Sequence, residues 1–416
     1  MIDFDLNLYE PGDVAYLWWL GLPSRPVFIG ELRIVRSNQG VSLRYAESWL
    51  RAGFSLSEDL PLIADEFLPQ AKETAAGAVD DARPDRWGER VIRFLDKPRR
   101  LALLDYLFYA GDERFGALGV SVSANSYVPR RLGPLPELKD IETLEHLVQQ
   151  ILAGEPVADE LRRLIAPGVT LGGARPKALL NIGGEQWVVK FSEPGEDFDM
   201  PLVEHASMTL ASTAGIRSAE TRAIPLHRGH AVAVKRFDRR ADGARMHCLS
   251  ANVALKAAGE RLGYPELSQL LRRRGEVDRG QAMEQMQELF RRMVFNILID
   301  NTDDHEKNHV IRVSDSQHFE LSPAFDVLPS AQALGYQQMR VGAHDADSTL
   351  ENALSEARQF GLSAAQAKAQ VQLVCRVVDQ WQGHFEQAGV SARDRATLAS
   401  MIDRPFLLGQ RRAFLA

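Results

Sequence analysis

Asn301-Thr302-Asp303-Asp304-His305-Glu306-Lys307-Asn308, with Asp326 beyond it, is the stretch on which the reading of this chain turns. It supplies a carboxylate, an amide five residues later, and a second carboxylate after an expected strand–turn–strand. Phosphoryl-transfer sites use that order: one Asp orients and deprotonates the acceptor hydroxyl, while an Asn and a second Asp hold Mg²⁺ on the phosphates. The Asp-to-Asn gap is weak alone, because acidic loops are common. Its meaning depends on what flanks it.

Immediately upstream, Gln281–Asp300 carries Met283, Met286, Phe290, Met293 and Ile297 at helical spacing. That pattern predicts a helix with an apolar core face rather than a row of sulfur ligands. Downstream, Val310–Val313 and Phe319–Leu321 predict two short strands around an Asp315-Ser316-Gln317 turn. A hairpin there would return Asp326 to the side of Asn308, which suits a metal clamp better than spacing alone.

Further out, Val169-Thr170-Leu171-Gly172-Gly173-Ala174-Arg175-Pro176-Lys177 precedes a predicted hairpin, Ala178–Leu180 and Gln186–Phe191 about Asn181-Ile182-Gly183-Gly184. Small residues let backbone N–H groups approach phosphate oxygens, because no Cβ intervenes. A plain turn reads the same way, and the loop is not a Walker P-loop. Lys190 stands alone in the apolar strand Trp187-Val188-Val189-Lys190-Phe191, either reaching phosphates or guarding a sheet edge. Glu204 opens the amphipathic helix Val203–Leu210, where it would either pair with Lys190 or complement the helix dipole. His230–Phe237 is a further strand, able to offer backbone groups to adenine or to be an ordinary member of a sheet.

The N-terminal third reads as strands at Val14–Leu20, Val27–Leu32 and Val41–Tyr45, a meander or small barrel, then as helices at Asp85–Leu95 and Leu101–Ala110. Gly133-Pro134-Leu135-Pro136 marks a boundary, and Ile141–Leu152 and Val157–Ile165 predict helices. Residues 350–416 are largely helical without a chemical motif, and Trp49 and Trp87 read as core anchors. The chain has 416 residues with 45% hydrophobic and 25% charged content, ordinary for a soluble globular protein of two or three domains. A net charge of −7 gives no basic field to draw it onto nucleic acid or membrane. Cys248 and Cys375 form no ligand-spacing motif, which argues against a disulfide scaffold or zinc site. An acidic N-terminus and the lack of a long apolar run predict a cytoplasmic location.

Leu171–Lys177, Val188–Lys190, Glu204, Val234–Asp238, Asp303–Asn308 and Phe325–Leu328 together resemble the HipA-type toxin kinases of bacterial toxin–antitoxin modules. Pro84–Gly88 and Leu103–Gly119 look like that family's N-terminal region, so the likeness covers most of the chain. Its most specific piece, Asn301–Asn308, fits the family's Asn-Thr-Asp-x-His-x-Lys-Asn. The resemblance implies an α+β, two-lobed protein-kinase-like fold: an additional N-terminal β-rich domain (1–132), a β-rich N-lobe (133–240) and a helical C-lobe (241–416). It implies serine/threonine phosphorylation of a protein with ATP and Mg²⁺, restrained by a helix-turn-helix antitoxin (HipB-like) that links the kinase to operator DNA. By matching position, Asp303 would be the base and Asn308 and Asp326 the Mg²⁺ ligands. Lys190, positioned by Glu204, would bind phosphates; Lys235 and Phe237 would meet adenine; His305 and Phe325 would line the nucleotide. Gly172, Gly173, Ala174, Arg175 and Lys177 would form the phosphate loop, and Thr170 stands where the family often has an autophosphorylated serine. Family members are known to target an aminoacyl-tRNA synthetase, but no residue here selects a substrate.

Two other readings compete. A metal-dependent phosphohydrolase could use Asp303, Asp304, His305, Glu306 and His309, but it lacks a second ligand cluster and leaves Lys190 and Asn308 unexplained. A catalytically weak kinase-like scaffold could serve as a co-repressor, yet both metal-binding positions and Lys190 are retained.

Overall fold

The computed structural model describes residues 11–128, 130, 133–165, 173, 175–278, 280–330 and 332–415. The chain forms two compact units, Met1–Val189 with Asp238–Leu249, and Lys190–Phe237 with Ser250–Ala416.

In the first unit, strands β1 (Val14–Trp19), β2 (Val27–Val35), β3 (Gly40–Tyr45), β4 (Glu66–Phe67) and β5 (Leu118–Ser121) form a sheet of order β4-β3-β2-β1-β5. The first three are the expected meander, and β4, which the sequence did not announce, extends it. Leu17, Ile29, Leu32, Val41 and Leu43 are wholly buried on it. Gly30 is required at its position, since a Cβ would lie 2.1 Å from the Arg44 carbonyl oxygen of the paired strand. Helices α1 (Glu47–Ala52), α2 (Arg86–Val91), α3 (Leu103–Tyr109) and α4 (Ile141–Ala153) follow, and Trp49 and Trp87 are both buried. Asp85 caps α2 by accepting from the Gly88 N–H at 2.7 Å. The helix predicted at Val157–Ile165 is only a 3-10 stretch, Asp159–Leu164. None of its residues is buried, so no packed face sustains an α-helix there. Strands β6 (Lys177–Ile182) and β7 (Glu185–Lys190) are neighbours joined at Gly183-Gly184, whose φ angles of 65° and 85° suit glycine.

The second unit opens with helix α5 (Met200–Thr213) and the antiparallel pair β8 (Thr221–Pro225) and β9 (His230–Lys235). Strand β10 (His247–Ser250) passes along the chain from one unit into the other. Helices α6 (Ala251–Ala257), α7 (Tyr264–Arg274) and α8 (Gln281–Leu298) precede the hairpin β11 (Val310–Val313) and β12 (Phe319–Leu321). Helices α9 (Leu350–Ser355), α10 (Ala364–Val378), α11 (Trp381–Gln387), α12 (Ala392–Ile402) and α13 (Pro405–Leu415) complete it. Helix α8 packs against α7 and α10, burying Met286, Phe290, Met293 and Ile297 as its periodicity predicts. Met283 departs from that expectation: at the first turn it is 43% exposed and lies over Gly361 rather than in the core. Both cysteines are buried. Among the described residues no helix is long and apolar enough to cross a membrane.

Candidate active site

Helix α8 delivers the Asn301–Asn308 loop through a tight C-terminal turn. The Asn301 N–H donates to the Asn296 carbonyl (2.9 Å) and the Asp300 N–H to that of Ile297 (3.3 Å), the paired bonds of a Schellman motif. Glycine usually holds the left-handed position; here Asp300 does, at φ 59°, its carboxylate taking a 2.7 Å bond from Arg404. Ser330 closes the other side, accepting from the Thr302 N–H (3.2 Å) and donating to the Asp300 carbonyl (3.0 Å). The segment leading to Asp326 is fixed as firmly. Arg292 of α8 donates to the Ser322 carbonyl (2.6 Å), and the Ala219 N–H donates to the Ala324 carbonyl (2.8 Å).

Asp303 and Asp304 are adjacent but play opposite parts. Asp304 is buried between the Tyr264 hydroxyl, which donates to it, and His309 Nε2 at 2.9 Å. Burial alone would raise its pKa, but His309, with the Tyr264 bond, outweighs that and holds it below the ordinary value. Asp303 opens to solvent. Partial desolvation raises its pKa, His305 opposes the rise, and the carboxylates of Asp326 and Asp304 add to it. A loop anchored by one carboxylate thus presents the next.

That division predicts an outcome for Tyr264→Phe. Losing the hydroxyl leaves a buried carboxylate short of a donor, costing about 1–3 kcal/mol in denaturant unfolding. The sign with pH follows. A depressed folded pKa contributes stability that is present above the unfolded value and lost as pH falls through the folded one. The variant therefore unfolds in acid at higher pH than the native chain. An unchanged denaturant midpoint and acid transition would contradict the anchoring role.

Lys190 is 5% exposed, and its ammonium bonds Glu204 Oε1 of α5 at 2.7 Å and Asp326 Oδ1 at 2.5 Å. Burial opposes its charge, but Asp326 and Glu204 prevail and its pKa is raised. Asp326 itself sits in the left-handed region at φ 58°, a conformation costing an L-residue roughly 1–2 kcal/mol. Asn308 and the flanking Phe325 and Val327 line one small internal cavity with Asp304 and His309. The Asn308 Oδ1 atom is buried there without a hydrogen-bond partner. A hard amide oxygen lacking a donor, together with the Asp326 carboxylate, fits Mg²⁺, which takes few protein oxygens and completes its shell with water and phosphate. Among the described residues no three His, Cys, Asp or Glu side chains are grouped to hold a metal ion.

Phe237 and Phe325 also meet, their rings 5.4 Å apart and tilted by 36°. Lys235 ends β9, its ammonium 3.6 Å from Glu220. His305 precedes Asn308 and accepts the Asn308 N–H on its carbonyl at 2.9 Å, while its Nδ1 is buried without a hydrogen-bond partner. The second unit therefore holds Lys190, Glu204, Lys235, Phe237, Asp303, His305, Asn308, Phe325 and Asp326. Gly173, Arg175 and Lys177 belong to the first. There Lys177 is buried, its ammonium 2.5 Å from Asp85, and its carbonyl accepts from Trp87 Nε1 at 2.7 Å. Thr170, Gly172 and Ala174 lie outside the described residues. Sequence reasoning passed over Tyr264, Arg292 and Arg404, which support the loops from far along the chain. A tyrosine and two arginines of an apolar-faced fold carry no local signal of that work.

A fold of this kind, with a carboxylate–amide–carboxylate loop system facing a glutamate-braced lysine, defines a class that the comparisons then specify. Residues 169–381 match the HipA-like C-terminal domain family, and residues 26–121 match the HipA N-terminal domain. The chain belongs to the HipA family. The solved HipA chain of the Shewanella oneidensis MR-1 toxin–antitoxin complex of HipA, HipB and operator DNA matches with a TM-score of 0.67 at 18% identity, covering 96% of this chain and 97% of that one. The fold is thus α+β with a β-rich N-terminal domain, as expected, and is shared with that HipA chain. The Helicobacter pylori proinflammatory kinase CtkA matches at 15% identity over 59% of this chain and 94% of that one, with a TM-score of only 0.36. No curated protein sequence matches.

Proposed function

We propose that this chain is an ATP- and Mg²⁺-dependent serine/threonine protein kinase, the toxin of a toxin–antitoxin module. One observation carries the reading: within a single unit, Lys190 is tied to both Glu204 and Asp326, and Asp326 in turn acts electrostatically on Asp303. Asp303 orients the acceptor hydroxyl and takes its proton. Lys190, held extended by Glu204, binds phosphate oxygens. Asn308 and Asp326 would hold a magnesium ion, which when bound would neutralise charge on the phosphates. Phe237 and Phe325, packed on each other, would line one side of the adenine. Phosphoryl transfer asks little covalent chemistry of the protein, so positioning and charge account for the rate.

The pairing of Asp304 with His309 weakens the hydrolase reading, since two of its candidate ligands satisfy each other inside the protein. A HipB-like helix-turn-helix antitoxin, and operator DNA through it, are the proposed partners, by analogy with the Shewanella complex. The substrate is a protein, with an aminoacyl-tRNA synthetase the first to try. Thermal denaturation with and without ATP and Mg²⁺ tests the site. Ligand at ~100 times its Kd adds roughly 2.7 kcal/mol. Stabilisation by the pair, lost on chelation and in Asp326→Asn, is expected. Identical curves with and without both ligands would contradict the proposal.

A further inference from the structure

The first unit holds a cavity of about 650 Å³, within the size range of small-molecule sites and unused by the proposed chemistry. Four arginines line it: Arg36, Arg83, Arg93 and Arg100. Carboxylates hold all four. Asp13 joins Arg36 (2.7 Å) to Arg100 (2.7 Å), Glu89 bonds Arg93 at 3.1 Å, and Asp80 pairs with Arg83 at 3.6 Å. Arg100 is otherwise taken up by Asp105 and the carbonyls of Pro11 and Gly12, but the donors of the other three are not exhausted. Arg36 uses one of its five N–H groups, toward Asp13, and Arg83 donates through Nη1 alone, to the Glu73 carbonyl at 3.0 Å. Arg93 is steadied through Nε by the Tyr106 hydroxyl at 2.5 Å, which leaves Nη1 without an acceptor. Ile34, Leu101 and the Tyr106 ring supply apolar wall, and Leu101 is 51% exposed.

Guanidinium groups fixed by carboxylates, with spare N–H edges, suit planar or tetrahedral oxyanions bound bidentately. Spare edges on Arg36, Arg83 and Arg93 suit two anionic groups, and the apolar wall suits a compact body between them. We propose that this cavity binds a small molecule carrying two oxyanionic groups, carboxylate or phosphate, on an apolar frame. The lining belongs to the first unit, whereas Lys190, Glu204, Asp303, Asn308 and Asp326 belong to the second.

Isothermal titration of the full chain at matched ionic strength tests it, with benzene-1,4-dicarboxylate, inorganic pyrophosphate and benzoate as probes. One of the two dianions is expected to bind more tightly than benzoate, and which one identifies the oxyanion. Arg36→Gln with Arg93→Gln should weaken that binding about tenfold or more. The response to ATP and Mg²⁺ should stay unchanged in the double variant. Arg36→Gln alone, at a side chain 84% exposed, reports on the site without risk to the fold. The proposal fails if neither dianion binds, if benzoate binds as well as they do, or if the variants bind like the native chain.

Discussion

Asp303→Asn is expected to lower phosphotransfer ~10²–10⁴-fold, the usual contribution of a positioned general base. Binding of ATP and Mg²⁺ should stay nearly intact, because the phosphates and metal are assigned to Lys190, Asn308 and Asp326. The native profile should also carry a signature of the base. Asp303 titrates above the ordinary carboxylate value of 3.8, raised first by partial desolvation. Its deprotonated form is the competent one, so kcat/KM falls as pH drops through that raised value. The acid limb should vanish in the variant. A variant with full activity, or a native profile flat through the carboxylate range, would remove Asp303 from the mechanism.

Lys190→Met is expected to affect folding and chemistry together. Glu204 is fully buried and bonds the ammonium at 2.7 Å. Breaking a buried pair by removing one partner costs about 3–5 kcal/mol, because a desolvated charge loses its counter-ion. A lysine that merely guarded a sheet edge would change stability by no more than ~0.5 kcal/mol. The double variant Lys190→Met with Glu204→Gln separates the two roles. It should regain part of the stability measured by denaturant unfolding, since the fully buried Glu204 charge is gone and only that of Asp326 is left without its lysine, while phosphotransfer stays lost. The native ion pair has its own pH sign. The folded pKa of Lys190 is raised, so its stabilisation is complete below the unfolded value of 10.5 and fades as pH rises through the folded one. Recovery of activity in the double variant would show that Lys190 only packs.

The sequence displayed the Asn301–Asn308 loop because its pattern is local. Asp303, Asn308 and the hairpin Val310–Val313 with Phe319–Leu321 fall where spacing and β-rich runs place them. Helix α8 was equally legible from its apolar stripe, except that Met283, at the first turn, points outward. The supports were not legible, because they join residues far apart in the chain. Arg404 caps Asp300 across 104 positions, and Tyr264 reaches Asp304 across 40. Lys177 gave no hint of its pairing with Asp85, 92 residues away. Nor does composition show that Asp304 would sink into the protein while its neighbour faces water. That sorting depends on which side of the turn packs against α7, which only the fold decides.

Transfer of label from γ-labelled ATP in the presence of Mg²⁺ tests the central claim most directly. The native chain and Asp303→Asn are each incubated with a cell lysate, and protein-bound label is compared with free phosphate. The account predicts serine- or threonine-linked label on a protein with the native chain and almost none with the variant. Equal labelling by both, or release of phosphate without any labelled protein, would contradict it.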